Sequence, residues 1–349
     1  MRKIHLSLVW ACLALLWAGS STADNVADLH AASVPVAEQS DKALAAAARV
    51  ALSEVLVKVS GSAELLRNPS IASALADARS HVQQYAYVRG TPPAAPLAVR
   101  FEFEPAYITE LVVQAGAPLW TANRPLVLAW VVVEDEQGKH FISWDSSPEQ
   151  AQQLLDEFSR RGVPVQLPVF DLIDMTALSL DDAWQLNAAA IQAASARYNV
   201  QDVVAGHLAR LNTGQASGDW TYFNQDNRLN RSLSAPDLQA FLRDGVNLVA
   251  ADMASRYAVA PTGGQEGGLR MSVTGVSSYA DYAGIVGWLE NLELVESANI
   301  ERIQGDRIEL RLQARADAAQ LAGTIQLNQH LLPLAAQDPG IPLNFQWQN

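Results

Sequence analysis

The chain has 349 residues, of which 49% are hydrophobic, and its 37 acidic against 24 basic residues give a net charge of −13. This length suits two or three domains of ordinary size, each with a core of its own. So acidic a chain is a poor candidate for binding nucleic acid or anionic lipid. Its single cysteine, Cys12, argues against a disulfide framework or a thiolate metal site.

Residues 1–23 have the pattern of a secretory signal peptide. Two basic residues precede an apolar run from about Leu6 to Ala18, and Ser21 and Ala23 are small residues at the positions that a signal peptidase reads. We expect cleavage after Ala23, which would leave a net charge of −15. Because no later apolar run is long enough to cross a membrane, we expect a periplasmic mature chain without a transmembrane span.

An N-terminal α/β unit is predicted over residues 24–118. Ser40 and Gly61 are typical of the start and end of an alanine-rich helix. The alternation of apolar and charged residues in LAVRFEFE (97–104) predicts a half-buried strand. Three further elements are expected in this unit: a strand ending near Val36, a helix around residues 70–88, and a helix over residues 105–116.

A central unit is predicted over residues 119–260. Its almost wholly apolar stretch from Leu126 to Val133 is typical of a strand buried on both faces. A helix follows Ser147, which we expect to form a capping box with Gln150. The other expected elements are a strand over VPVQLPVFD (163–171), a long helix from Ser179 to about Tyr198, a hairpin from VQDVVAGHLARL (200–211) to DWTYF (219–223), and a final helix to about Tyr257. Strands alternating with helices predict a mixed α/β sheet.

A linker at residues 261–268 and a small C-terminal unit complete the chain. Residues 269–336 have the element order β-α-β-β-α-β, which is the ferredoxin-like plan, and residues 337–349 are expected to form a tail. The predicted fold class is therefore a multi-domain α/β and α+β protein, with a central mixed α/β sheet unit and a C-terminal ferredoxin-like unit.

Two sets of residues are candidates for a functional site. Asp171 and Asp174 follow a predicted parallel strand, where ligands often bind, and two carboxylates could serve a hydrolase. Trp120, Arg124 and Trp220 lie near the ends of elements, where aromatic and arginine side chains can anchor a partner. Packing in the core, for the tryptophans, and helix capping, for the aspartates, are the competing interpretations.

The stretch VVAGHLARLNTGQASGDWTYF (203–223) poses the question of a histidine–aspartate pair. We interpret it as a hairpin with a mobile tip. We expect Asp219 to lie opposite about Thr213 rather than opposite His207, so that no catalytic pair forms.

No catalytic residue, metal site or cofactor is predicted. The chain contains neither a Gly-x-Ser-x-Gly nor a Ser-x-x-Lys motif. Five histidines follow residue 23, and none is paired with another at metal-ligand spacing. These are His30, His81, His140, His207 and His330.

Five segments together resemble the bacterial family known as domain of unknown function 2066, over about Val34 to Val259. They are VPVAEQS with VALSEVLVKVSG, AGAPLWTANRPLVLAWVVVE, RRGVPVQLPVFDLIDM, AASARYNVQDVVAGHLARL and ASRYAV. The resemblance implies an exported protein of Gram-negative bacteria with no assigned activity, and it implies no catalytic residues. The central unit is also similar in element order to the amino-terminal domain of TolB, a type of domain that binds proteins.

Three functions stay open at this point. The first is a non-catalytic periplasmic factor that binds or assembles an unidentified envelope protein. The second is a carboxylate-dependent hydrolase, which requires Asp171 and Asp174 to face an open cleft. The third is a small-ligand carrier, which requires a deep apolar pocket between the first two units. The sequence favours the first and leaves the oligomeric state undetermined.

Overall fold

The computed structural model describes residues 26, 28–90, 97–211, 213–224, 227–260, 268–327, 330–335 and 340–348. It shows a mixed α/β architecture with three sheets and ten α-helices over these residues. The predicted signal peptide and all of the predicted linker except Gly268 lie outside the described residues. None of the described helices is long and apolar enough to cross a membrane.

The N-terminal unit packs three helices against a three-stranded antiparallel sheet with the order β1-β3-β2. Its elements are β1 (Ala31–Pro35), α1 (Asp41–Ser60), α2 (Pro69–Ala76), β2 (Val82–Arg89), β3 (Leu97–Phe103) and α3 (Pro105–Gln114). The Ser40 side chain caps α1, and Gly61 ends it in the left-handed conformation, as predicted. The helix predicted to about residue 88 ends much earlier, because the alternating residues of β2 pair with β3.

The central unit contains a six-stranded sheet with helices on both faces. Its elements are β4 (Val127–Asp135), β5 (Gly138–Phe141), α4 (Pro148–Arg161), β6 (Val165–Gln166), α5 (Leu172–Ala177), α6 (Leu180–Trp184), α7 (Ala188–Ser195), β7 (Asp202–Arg210), β8 (Ala216–Phe223), β9 (Arg228–Ala235) and α8 (Leu238–Tyr257). The path runs β5-β4-β7-β8-β9, with β6 beside β4, and β4 is parallel to both β6 and β7. The mixed sheet is therefore confirmed.

Local details of the central unit differ from the predictions. The long helix expected up to Tyr198 is divided into α6, α7 and a 3-10 turn, and Leu186 adopts a left-handed φ of 52° at the break. Ser147 precedes α4 but makes no side-chain cap, since its Oγ accepts a hydrogen bond from Ser143 instead. The strand expected at 163–171 is reduced to the two residues of β6.

The C-terminal unit is a five-stranded sheet with the order β11-β12-β10-β14-β13. Its elements are β10 (Leu269–Thr274), α9 (Tyr279–Glu290), β11 (Val295–Gln304), β12 (Arg307–Ala314), α10 (Ala318–Gln326), β13 (Leu331–Pro333) and β14 (Leu343–Trp347). The predicted succession of elements is present from β10 to β13. However, β14 arises from the segment expected to be a tail, and it lies between β10 and β13, parallel to β10.

The N-terminal and C-terminal units share one hydrophobic core, whereas the central unit has two of its own. One cluster of buried side chains runs through both the N-terminal and the C-terminal units, from Leu29 to Phe345. Two other clusters lie on the two faces of the central sheet: α4 and α8 cover one face, and α6 and α7 cover the other. The segment around Trp120 connects the N-terminal and central units. All three units meet there, because the Ala122 amide and the Asn123 side chain donate hydrogen bonds to Glu293 and Thr324 of the C-terminal unit.

Candidate functional site

The structure buries Arg124 completely, with no exposed surface. Its guanidinium donates hydrogen bonds to backbone carbonyl oxygens: Nη2 to Lys58 at 2.8 Å, Nη1 to Gly162 at 2.6 Å, and Nε and Nη2 to Thr121 and Trp120 at 2.8 Å each. Two of these carbonyls lie at the C-terminal ends of α1 and α4, which carry unpaired acceptors and partial negative charge. Burial lowers the pKa of Arg124 to about 9, so it stays protonated at neutral pH. We call Arg124, Trp120 and these carbonyls the Arg124 hub.

Trp120 and Trp220 are as inaccessible as Arg124. Trp120 is 1% exposed, and the Arg124 guanidinium lies 3.6 Å from the centre of its ring. Trp220 is fully buried between Gly206 and Gly245, where a Cβ on either glycine would come within 2.7 Å of the indole. The structure therefore does not support the expectation that these three residues contact a partner, because none of them reaches the surface.

His207 and Asp219 are brought together, contrary to our expectation. The loop between β7 and β8 spans only residues 211–215, which places Asp219 directly opposite His207, with Nε2 and Oδ2 3.3 Å apart. The hydroxyl of Ser232 on β9 donates to the other side of the same carboxylate. The aspartate thus lies between the histidine and the serine, whereas a nucleophilic serine needs the histidine as its direct neighbour.

Asp171 and Asp174 form a compact ion-pair cluster with Arg197. Arg197 Nη1 lies 2.7 Å from Asp171 and 2.9 Å from Asp174. Asp174 is fully buried, and its Oδ2 accepts hydrogen bonds from Tyr198 Oη at 2.5 Å and from the Phe170 amide at 2.9 Å. Asp171 caps the first turn of α5. Both carboxylates therefore fix the chain around residues 169–174.

This geometry does not provide what the hydrolase hypothesis requires. The hydrogen bonds from Arg197 lower the pKa of Asp171 to about 2, so it stays ionised at neutral pH and cannot act as a general acid there. Asp174 is buried beneath the loop rather than facing a cleft. Among the described residues, no group of three or more histidine, cysteine, aspartate or glutamate side chains could hold a metal ion.

Around this cluster, the chain exposes five large apolar side chains. Val169, Leu172, Ile173 and Met175 are 62%, 80%, 60% and 48% exposed, and Trp144 is 52% exposed. We call these five residues the α5 patch. Large apolar residues exposed in one short segment are unusual on a soluble surface and typically mark an interaction site. The sequence pattern VFDLIDM contained this signal, but we attributed it to a strand and to its carboxylates.

The backbone of the α5 patch is held in place by packing and hydrogen bonds around Phe170. Phe170 adopts a left-handed φ of 56°, which costs a non-glycine residue about 1–3 kcal/mol. Its ring packs inward, 5.6 Å from Trp130 and 5.1 Å from Phe141 between ring centres. The Val169 amide donates to Tyr198 Oη at 2.8 Å. The loop is thus pinned from beneath, while Val169, Leu172 and Ile173 expose their side chains to the solvent.

A shallow groove of about 430 Å³ borders the α5 patch. Trp144 and Val169 lie on its walls, and Asp145 is the only charged residue among the described residues that line it. The groove and the patch together offer an apolar surface with an acidic margin.

Two cavities between units have charged linings rather than the apolar lining expected for a small-ligand carrier. A groove of about 500 Å³ between the N-terminal and central units is lined by charged residues, including Glu54, Lys58, Glu157 and Arg243. A wider cleft of about 780 Å³ lies between the N-terminal and C-terminal units, and it also has several acidic residues in its wall.

Comparisons with known proteins correct the resemblance inferred from the sequence. Residues 23–121 match the family described as Domain of unknown function (DUF8605). This is a different family from domain of unknown function 2066, so the resemblance that we inferred was wrong. The matched segment covers the N-terminal unit and ends in the Arg124 hub, at Thr121.

Other comparisons add little. No curated protein matches the chain. A solved structure described as "Crystal structure of uncharacterized protein" is 14% identical and aligns over 38% of this chain and 92% of its own, with a TM-score of 0.19. A likeness at this TM-score supports no argument about fold or function. What the comparisons establish is that the N-terminal unit is similar to a domain of unknown function.

Proposed function

We propose that this protein is an exported, periplasmic binding or assembly factor that docks a protein of the cell envelope through the α5 patch. The observation that supports this proposal most directly is that four apolar side chains between Val169 and Met175 are held in solvent by a loop that is pinned from beneath. A loop that only connected β6 to α6 would need neither the strained Phe170 nor the buried Asp174.

The chemistry of the patch indicates the kind of partner. Burying an exposed leucine or isoleucine side chain contributes about 1.5–3 kcal/mol, and such anchors dominate protein interfaces. The margin of the patch carries Asp145 and Asp171, and the whole chain has a net charge of −13. An apolar pocket with basic residues at its rim is the complementary surface, whereas an anionic membrane would be repelled.

We propose that the central unit is of the TolB amino-terminal type, which binds proteins, and that the C-terminal unit is a variant of the ferredoxin-like plan with β14 added. Export directed by residues 1–23 and a partner in the cell envelope are parts of the same proposal.

Photo-cross-linking in cells tests the proposal. A photoreactive residue replaces Thr176, next to the patch, and cross-linked proteins are identified by mass spectrometry. We expect one dominant partner from the envelope fraction, and its cross-link should disappear in the double variant Leu172→Asp/Ile173→Asp. Ile303→Asp is the matched control, because Ile303 is 58% exposed on a different unit, and it should leave the cross-link unchanged.

Three results would contradict the proposal. One is the absence of any dominant cross-link, and another is a cross-link that survives the double variant. The third is binding of purified protein to phosphatidylcholine or phosphatidylglycerol vesicles that depends on Leu172 and Ile173, because this would make a lipid surface the partner. Circular dichroism of both variants shows whether they are folded.

A further inference from the structure

The edge strand β2 is exposed to an unusual degree. It pairs with β3 on one side, and within the described residues no other strand pairs with it. Every residue from Gln83 to Tyr87 is exposed, although side chains alternate between the two faces of a strand. Tyr85 is 47% exposed and Tyr87 is 37% exposed. Within the part of the chain that the structure describes, both faces of this strand are largely accessible and its outer edge has no strand partner.

The hydrogen-bonding phase of the sheet shows which peptide groups face that open edge. The Phe103 amide donates to His30, and Leu97 accepts from Val36, so the odd-numbered residues of β3 bond towards β1. In an antiparallel sheet the alternate residues then bond towards the other neighbour, β2. Tyr85 and Tyr87 lie opposite Phe101 and Val99, and they therefore direct their N–H and C=O groups away from β3.

The edge lacks the usual protection against strand pairing. Natural edge strands carry lysine, proline or inward-facing charges that prevent another strand from adding. The segment VQQYAYV, from Val82 to Val88, contains no charged residue and no proline. A bulge between Val82 and Gln84 disturbs only the start of the strand. The part from Gln84 to Val88 is a regular, neutral edge.

We propose that β2 is the interface of a homodimer, in which two copies of β2 pair antiparallel about a two-fold axis at Ala86. In this register Tyr85 of each copy lies opposite Tyr87 of the other, and Gln84 lies opposite Val88. The peptide groups that point away from β3 belong to odd-numbered residues of β2. They can form hydrogen bonds between the two copies only in registers that place odd-numbered residues opposite each other. Among these, the axis at Ala86 forms two tyrosine pairs, whereas an axis at Tyr85 forms one.

The surrounding side chains are compatible with a second copy. The ring of Tyr85 lies 6.2 Å from that of Phe101 on β3, so each tyrosine pair would extend an aromatic row across the joined sheet. Arg89 would lie opposite Gln83, and no like charges would face each other across the strands. An isologous interface requires this kind of self-complementarity. The proposal is independent of the α5 patch, which lies on the central unit.

Charge substitution at the two-fold axis tests this inference. The Ala86 side chain is exposed, and in the dimer its two copies would be nearest neighbours. Light scattering at about 0.15 M salt, which screens the repulsion between two acidic chains, should give twice the 37.7 kDa mass of the chain, less any cleaved segment. Ala86→Glu and Ala86→Lys should each weaken self-association at least about tenfold, because like charges would be juxtaposed.

Mixing the two variants separates the proposal from a general loss of folding. Equal amounts of Ala86→Glu and Ala86→Lys should restore a dimer, whereas Ala72→Glu, at an exposed alanine on α2, should leave dimerisation unchanged. In addition, Ala86→Cys should form a disulfide between copies on mild oxidation, and Ala72→Cys should not. The proposal is overturned by a monomeric wild-type chain, by a dimer that Ala86→Glu leaves intact, or by a wild-type monomer that binds an extended peptide at β2.

Discussion

The Arg124 hub and the α5 patch look alike in sequence but serve opposite purposes in the structure. Each combines a large apolar or aromatic residue, a proline and a charged residue near the end of an element: Trp120 with Arg124 in one, and Val169 with Asp171 in the other. The hub turns its charge inward, onto the carbonyl groups of three segments. At the α5 patch, the ion pair between Asp171 and Arg197 holds the loop, and the apolar side chains are exposed to solvent.

What distinguishes the two regions is the partner of each charge. The five N–H donors of a guanidinium can satisfy several backbone acceptors at once, so Arg124 is buried with backbone carbonyl groups as its hydrogen-bond partners. Asp174 is equally buried, but its partners Arg197 and Tyr198 come from the segment that follows α7. In both regions the buried charge therefore has a structural role, since it holds separate segments of the chain together. A binding function is expected from the side chains that remain exposed, which are those of the α5 patch.

The largest effect is expected from Arg124→Lys. Lysine has one ammonium group in place of a planar fork, so the carbonyls of Lys58 and Gly162 cannot both keep their bonds. We expect the free energy of unfolding to fall by about 3–5 kcal/mol, because buried acceptors lose their donors. Urea unfolding followed by tryptophan fluorescence measures it. Arg302→Lys, at an exposed arginine, should change stability by less than about 0.5 kcal/mol; a similar small loss in Arg124→Lys would refute the role of the hub.

A smaller loss is expected when the scaffold of the α5 patch is weakened. Asp174→Asn removes the charge that faces Arg197 and should cost about 2–3 kcal/mol, as for a hydrogen bond to a charged group. The same variant should make the loop around Phe170 more susceptible to limited proteolysis. Asp181→Asn, at an exposed position on α6, serves as the control. If the two variants are cleaved equally fast, the buried carboxylate does not hold the loop.

The pH dependence of stability should report on His30, close to the hub. Burial, with added repulsion from Lys58 and Arg124, lowers the pKa of His30 to about 4 in the folded chain. The unfolded chain, with an ordinary histidine pKa near 6.5, therefore binds a proton first as the pH falls. Stability should decrease by about 2 kcal/mol between pH 7 and pH 5 from this group alone. In His30→Gln this part of the decrease should vanish, and an unchanged slope would contradict it.

Much of the fold could be predicted, because local signals and tertiary packing agree in long elements. The seven buried residues of β4 follow from its apolar run, and Ser40 and Gly61 begin and end α1 as their residue types indicate. The incorrect predictions concern segments whose secondary structure is determined by pairing with a neighbouring strand. β2 has an ambiguous pattern that pairing with its neighbour β3 resolves. In the arginine- and serine-rich β9, only Leu229, Leu233 and Ala235 pack against the core, and Arg231 interrupts their alternation.

The candidate sites were harder to predict, because spacing along the chain does not fix contacts across a sheet. His207 meets Asp219 only because the hairpin loop is five residues long, and a longer loop would have separated them. Nothing in the sequence places Arg197 beside Asp171, since 26 positions separate them. The burial of Trp120 and Trp220 could not be predicted either, because it depends on elements that are far away in sequence.

The smallest effect on stability is expected at the α5 patch itself, and there a null result is informative. Leu172→Asn and Ile173→Asn remove apolar surface that is already in water, so each should change the free energy of unfolding by less than about 0.5 kcal/mol. Leu154→Asn on α4 is the buried counterpart and should cost about 3 kcal/mol or more. Chemical unfolding of the three variants measures the contrast. A loss at Leu172 approaching that at Leu154 would mean that the side chain packs against the protein in solution, and the docking surface would then have to be sought elsewhere.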